Sequence, residues 1–182
     1  MKEPSLGLIE FKSIAQGFLA ADAVVKKAPV RLLTANPICP GKYLITFAGE
    51  VADVEESLAA GINAGADMVI NQLFLPHLHE SVIPAIAGVK AVKKYGALGI
   101  VESFSVASCV LAADKAAKVS PIELVEIRLA NGIGGKAYFV LTGDLDQVEA
   151  STFAARDMIK AEGLLAGCTV IPAPHKDFLE RV

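Results

Sequence analysis

The residue best placed to do chemistry in this 182-residue chain is a cysteine set between two prolines, in the stretch Asn36-Pro37-Ile38-Cys39-Pro40-Gly41-Lys42. A thiolate is both a nucleophile and a soft metal ligand. On residue type alone Cys39 has two readings: an idle or buried loop thiol, since free cysteine is commonly buried; or the nucleophile of a small thiol enzyme. The last needs a base beside it, and the three histidines, His77, His79 and His175, lie outside that loop. His77 and His79 stand two apart, a spacing that on a strand would give a metal pair. No third ligand of suitable spacing is near, and they follow Pro76, so they read as surface or interface residues at a strand end. The stretch Asn131-Gly132-Ile133-Gly134-Gly135-Lys136 invites a phosphate-loop reading, but it lacks the full GxxxxGK[ST] spacing and leads into a strand. Cys109, in an alanine-rich helix, and Cys168, in the final strand, read as core residues.

The elements that must position these residues occur twice. Leu6-Gly7-Leu8-Ile9-Glu10 matches Leu98-Gly99-Ile100-Val101-Glu102 at an offset of 92 residues, and Asp22, Lys26 and Pro29 keep that offset with Asp114, Lys118 and Pro121. The offset becomes 94 at Gly41 and Gly135, so the second copy gains two residues in its loop, and 96 at His79 and His175. Such a register over most of the chain is a tandem duplication, with a join expected over Val92–Ala97 and domains over residues 5–91 and 97–182. Each copy reads as an alternating apolar strand, a helix with Ser13 or Ser105 as its N-cap, a strand after Pro29 or Pro121, a glycine-bearing loop, a strand, an amphipathic helix with early acids, and a short last strand. The order β-α-β-β-α-β is a split βαβ, so the fold class is α/β (α+β), as two tandem ferredoxin-like domains. Asp22–Lys26 and Asp114–Lys118 have the i,i+4 spacing of helix-face ion pairs.

Composition bounds the classes. Hydrophobic residues make up 53% with no Trp and 6% aromatics, which suits packed layers of Ala, Val, Ile and Leu. No apolar run has the roughly 18 residues of a membrane span. A net charge of −3 gives no electrostatic case for nucleic acid or anionic lipid. Three unpaired cysteines and no signal-peptide pattern point to a reducing, cytosolic setting.

With its alternating strand and the Asp-x-x-x-Lys helix in both copies, and the Ile171-Pro172-Ala173-Pro174-His175 close of the second, the chain resembles the bacterial microcompartment (BMC) shell domain, in tandem form and unpermuted strand order. It departs from that pattern at Ala173, where the family often has arginine, and in the first copy's Leu75-Pro76-His77-Leu78-His79. The resemblance implies a non-enzymatic, pseudohexameric homotrimer that tiles with other shell proteins. Its pore would be lined by Pro37, Ile38, Pro40, Gly41 and Lys42 from one loop, and by Asn131, Gly132, Ile133, Gly134 and Gly135 from the other. Lys26, Lys118, His79 and His175 would lie at tile edges. In the tandem subfamily with a thiol in the first loop, the resemblance further implies one [4Fe-4S] cluster per trimer, held by Cys39 from three chains, carrying electrons across the shell to a redox enzyme on either side. Threefold symmetry then accounts for a lone thiol, because clusters normally take four ligands and three come from copies of one residue. A shell trimer with an open metabolite pore, and a thiol enzyme or ligand sensor on the same scaffold, are the alternatives.

Overall fold

Ser13 and Ser105 each start a helix in the way their spacing predicts. In the computed structural model of the chain, which describes residues 4–89, 92 and 94–181, Ser13 Oγ accepts the Gln16 amide at 3.3 Å and Ser105 Oγ accepts the Ser108 amide at 3.2 Å. Both therefore satisfy one of the amides that a helix start leaves open. The helices, α1 (Ile14–Lys27) and α4 (Val106–Val119), each end two residues before Pro29 and Pro121, with Ala28 and Ser120 in extended conformation.

The first unit runs β1 (Ser5–Phe11), α1, β2 (Arg31–Ile38), β3 (Lys42–Gly49), α2 (Val51–Gly65), a 3-10 turn (Ala66–Met68) and β4 (Val69–Pro76). The second runs α3 (Val82–Ile86), β5 (Ala97–Ser103), α4, β6 (Glu123–Leu129), β7 (Ala137–Gly143), α5 (Leu145–Ala161), β8 (Leu165–Ile171) and α6 (Lys176–Leu179). The chain divides into these two compact units between Leu78 and His79. Residues 90 and 91 of the expected first domain, Lys93 of the expected join and residue 182 lie outside the described residues.

Each unit holds one antiparallel four-stranded sheet, in the orders β2-β3-β1-β4 and β6-β7-β5-β8, as the split-βαβ reading requires. The irregularities are repeated as well: the ladder shifts after Glu10 in the first sheet and after Glu102 in the second. Within each unit the two long helices pack on one another and on the sheet.

The cores are complementary rather than identical. In the first unit Tyr43 fills the space over Gly17, where an added Cβ would lie 2.4 Å from the ring, and Phe11 fills the space over Gly65 at the same 2.4 Å. Their counterparts are Ala137 with Cys109, and Ser103 with Ile159, all fully buried. Where one copy puts an aromatic ring against glycine, the other puts a small residue against a larger helix residue, keeping the volume roughly constant as dense packing demands. Cys109 is thus core, as expected, and burial pushes its thiol far up.

Candidate functional site

Strand β2 is the edge of its sheet, and that is the place where a strand tolerates proline, since the missing amide faces no neighbour. Pro37 lies opposite Tyr43 and Ile38 opposite Lys42, so the β2–β3 ladder runs to the last residue before Cys39. Pro37 and Ile38, expected in the loop, are thus the last two residues of one strand, and Lys42 is the first of the next. The turn proper is Cys39, Pro40 and Gly41, with a cis Cys39–Pro40 peptide. Gly41 has φ +74°, and an added Cβ there would meet nothing within 4 Å. Glycine is needed at this position for its backbone conformation and not for space.

Cys39 is half-buried and reduced at the tip of this turn. Among the described residues no group of three or more His, Cys, Asp or Glu could hold a metal ion within one chain. The turn therefore offers one soft sulfur donor per chain.

Lys42 follows the turn, but its ammonium is held back over the sheet. Nζ donates to Glu10 Oε2 at 3.2 Å, and the Glu10 side chain is only 5% exposed. The second unit repeats the pair as Lys136 Nζ to Glu102 Oε2 at 2.8 Å, with Glu102 39% exposed. Sequence reasoning missed both acids, because a glutamate in an alternating strand reads as its solvent-facing residue. The signal that could have found them was the pairing itself: Glu10 and Glu102 keep the repeat register, as do Lys42 and Lys136.

The corresponding loop of the second unit, residues 130–136, is longer and carries no sulfur. Ala130, Gly132, Gly134 and Gly135 all have positive φ, which three glycines accommodate without strain. As expected, a strand, β7, follows it. Beside it the helix-free face of the sheet is open, with a cavity of about 330 Å³ lined by Ile100, Glu102, Ile133, Lys136, Ala137 and Tyr138. The corresponding first-unit residues Leu8 and Glu10 are buried. Tyr138 donates to Glu126 Oε1 at 2.8 Å, and burial first, then that carboxylate, pushes its hydroxyl up to about 12.

The remaining sequence candidates are dispersed. Cys168 is half-buried on the outer strand β8, not in the core, because β8 is an edge of its sheet. Burial pushes its thiol up, with Asp157 adding to the shift and Arg156 opposing it. β4 ends at Pro76, which places His77 and His79 just past a strand end as read from the sequence, with His77 at φ 55°. His79 Nδ1 lies 2.8 Å from Ser81 Oγ. Lys26 and Lys118 pair with Asp22 and Asp114 one helical turn back. The two acids differ: Asp22 is exposed, whereas Asp114 is buried and also accepts the His79 amide at 2.8 Å. His175 is exposed and its Nδ1 accepts the Asp177 amide at 3.3 Å.

Comparison with known proteins accounts for the duplication. The BMC domain model matches residues 5–78 and again 97–174. The bacterial microcompartment shell protein PduT of Citrobacter freundii is 44% identical over 172 residues, 94% of each chain. PduA of Salmonella typhimurium, another microcompartment shell protein, is 30% identical over 89 residues, 46% of this chain but 95% of its own length. A relative of that size thus corresponds to one of the two copies. The crystal structure of a microcompartment protein from Desulfitobacterium hafniense DCB superposes with a TM-score of 0.94 at 46% identity, covering 98% of both chains. Two matches to one domain model, full-length similarity to a shell protein and the same backbone lead to one conclusion: the chain belongs to the BMC-domain family, as a bacterial microcompartment shell protein with two tandem copies.

Proposed function

We propose that this shell protein forms a homotrimer, imitating a hexamer through its six domains, in which the threefold axis gathers three copies of the Cys39 turn around one [4Fe-4S] cluster. The observation that carries this reading is the contrast between the two hairpin loops. One is a three-residue turn presenting a single thiol with no ligand set of its own, and the other is longer, glycine-rich and without sulfur. A lone soft donor is a defective site in one chain and three quarters of a ligand set in a ring of three. Similarity along 94% of the chain to PduT, a microcompartment shell protein, supports the shell role.

A further support is the open helix-free face of the second unit. Ile100 and Glu102 stay accessible there, while Leu8 and Glu10, their counterparts, are buried. An apolar strip with a paired charge suits a second copy of the chain, and a heterologous contact of that kind closes into a ring.

The residues fit the cluster in type. Cys39 supplies the thiolates, and the short turn brings backbone close to them. Pro40 withholds an amide, whereas Cys39 and Gly41 keep theirs as donors of the kind that tunes a cluster. Lys42 stays over the sheet with Glu10, so its charge is already compensated. When bound, such a cluster supplies one-electron chemistry, and the trimer would carry electrons between the two sides of the shell to a redox enzyme. Neighbouring shell proteins would meet it at edges bearing Lys26, Lys118, His79 and His175. Its role is structural and electron-transferring, not catalytic.

Absorbance and EPR spectra of anaerobically purified protein, with iron and sulfide assays, test this against the Cys39→Ser variant. A broad band near ~400 nm, about four irons per trimer and loss of both in the variant is the expected result. An iron-free trimer after reconstitution would leave a shell tile with an open metabolite pore.

A further inference from the structure

The two copies of the first helix differ in what covers them. Phe18 on α1 is 59% exposed, and Ile14, Leu19 and Val25 around it are exposed as well. Their counterparts on α4 are buried or half-buried, with Val110, opposite Phe18 in the repeat register, at 0%. The difference extends to the neighbouring edge strand: Leu32 on β2 is exposed, and Leu124 on β6 is buried.

In the second unit the cover is a segment of known origin. Residues 79–86 follow the last strand of the first repeat, and α3 packs on α4 and β6. The His79 amide ties the segment down by donating to Asp114 at 2.8 Å, Ser81 closes the turn by donating to His79 Nδ1 at 3.3 Å, and Val82 is 0% exposed.

The second repeat ends in the same device. His175 is the counterpart of His79, the Asp177 amide donates to His175 Nδ1 at the same 3.3 Å, and the Phe178 amide donates to the His175 carbonyl as the Val82 amide does to that of His79. Leu179 packs against the core of its own unit, which anchors the segment beside Phe178. Phe178, the counterpart of Val82, is 47% exposed, and the counterpart of Asp114 is Asp22, which is exposed on α1. A covering segment and an uncovered helix are both open in a single chain, and they carry the complementary halves of a contact already made once within the second unit.

We infer that the segment 175–181 docks on the α1 face of a second copy of this chain, with Phe178 seated among Phe18, Leu19 and Leu32 and the His175 amide donating to Asp22. The inference rests on the ring proposed above. It adds a defined strap between consecutive copies, equivalent to the covalent step from one repeat to the next. Burying an aromatic side chain against three apolar ones adds to the drive that holds consecutive copies together, since such a ring removes a large apolar area from water.

Photo-crosslinking of the full chain with p-benzoylphenylalanine in place of Phe178 tests this, using a mixture of isotopically light and heavy protein and native mass on the same sample. The expected result is a trimer with light–heavy cross-links mapping to residues 14–33, lost when Leu19→Asp is introduced in the same background. A trimer whose cross-links map elsewhere, or form within one copy, overturns the strap and leaves the ring standing. A monomeric native mass overturns both.

Discussion

At the scale of single residues, size complementarity between the copies makes a sharp statement about the core. Gly17→Ala forces a methyl into the Tyr43 ring, and Gly65→Ala does the same against Phe11. Each is expected to cost about 1–3 kcal/mol, the usual range for overpacking, read as a lower denaturant midpoint with unchanged slope. The second copy shows the remedy. Gly17→Cys combined with Tyr43→Ala installs the Cys109–Ala137 pair, and the double variant should be more stable than the two separate losses add up to. Strict additivity would mean that the two positions do not share a volume. The Glu10 and Glu102 pairs give a second comparison. Lys42→Met strands a carboxylate with 5% exposure and should cost about 1–3 kcal/mol, whereas Lys136→Met leaves a partner 39% exposed and should cost clearly less. Equal losses would show that water reaches Glu10 in solution.

At the scale of elements, much of the molecule is legible in the sequence. The repeat register supplied two readings of every strand and helix, so Ser13 and Ser105, or Pro29 and Pro121, supported one another where a single copy would have been ambiguous. The tight turn at Cys39 was legible from its prolines and glycine. What escaped was long-range partnership. Glu10 needed the β1–β3 register to bring it to Lys42, Asp114 needed the 79–86 segment folded back on α4, and Cys168 needed the knowledge that β8 is an edge. None of these follows from periodicity, which places a residue on a face without saying what lies over it. The open face of the second sheet also carries a pH signature. Tyr138 holds its proton up to about 12, above the ordinary value of 10.0, so the folded state binds the proton more tightly than the unfolded chain. Stability from this group is complete below about pH 10 and lost as the pH rises towards about 12. Denaturant midpoints between pH 9 and 12 should fall more steeply for the parent protein than for Tyr138→Phe. Parallel curves would place the tyrosine in an ordinary aqueous setting.

At the scale of the whole molecule, duplication is what permits a single thiol to be meaningful. Six identical loops round an axis would carry six sulfurs or none, whereas in the proposed trimer two alternating loops would let Cys39 specialise while the glycine-rich loop of residues 130–136 carries no sulfur. The same asymmetry separates Asp22 from Asp114 and Phe18 from Val110, so one chain holds both a satisfied and an unsatisfied version of each contact. The central claim is one cluster shared by three chains. Native mass spectrometry of the anaerobically purified protein, after iron and sulfide reconstitution, measures it most directly. A trimer carrying the added mass of a single [4Fe-4S] unit, absent from Cys39→Ser, is the expected result. A cluster mass on monomers, or a trimer that keeps its cluster in the Cys39→Ser variant, would contradict it.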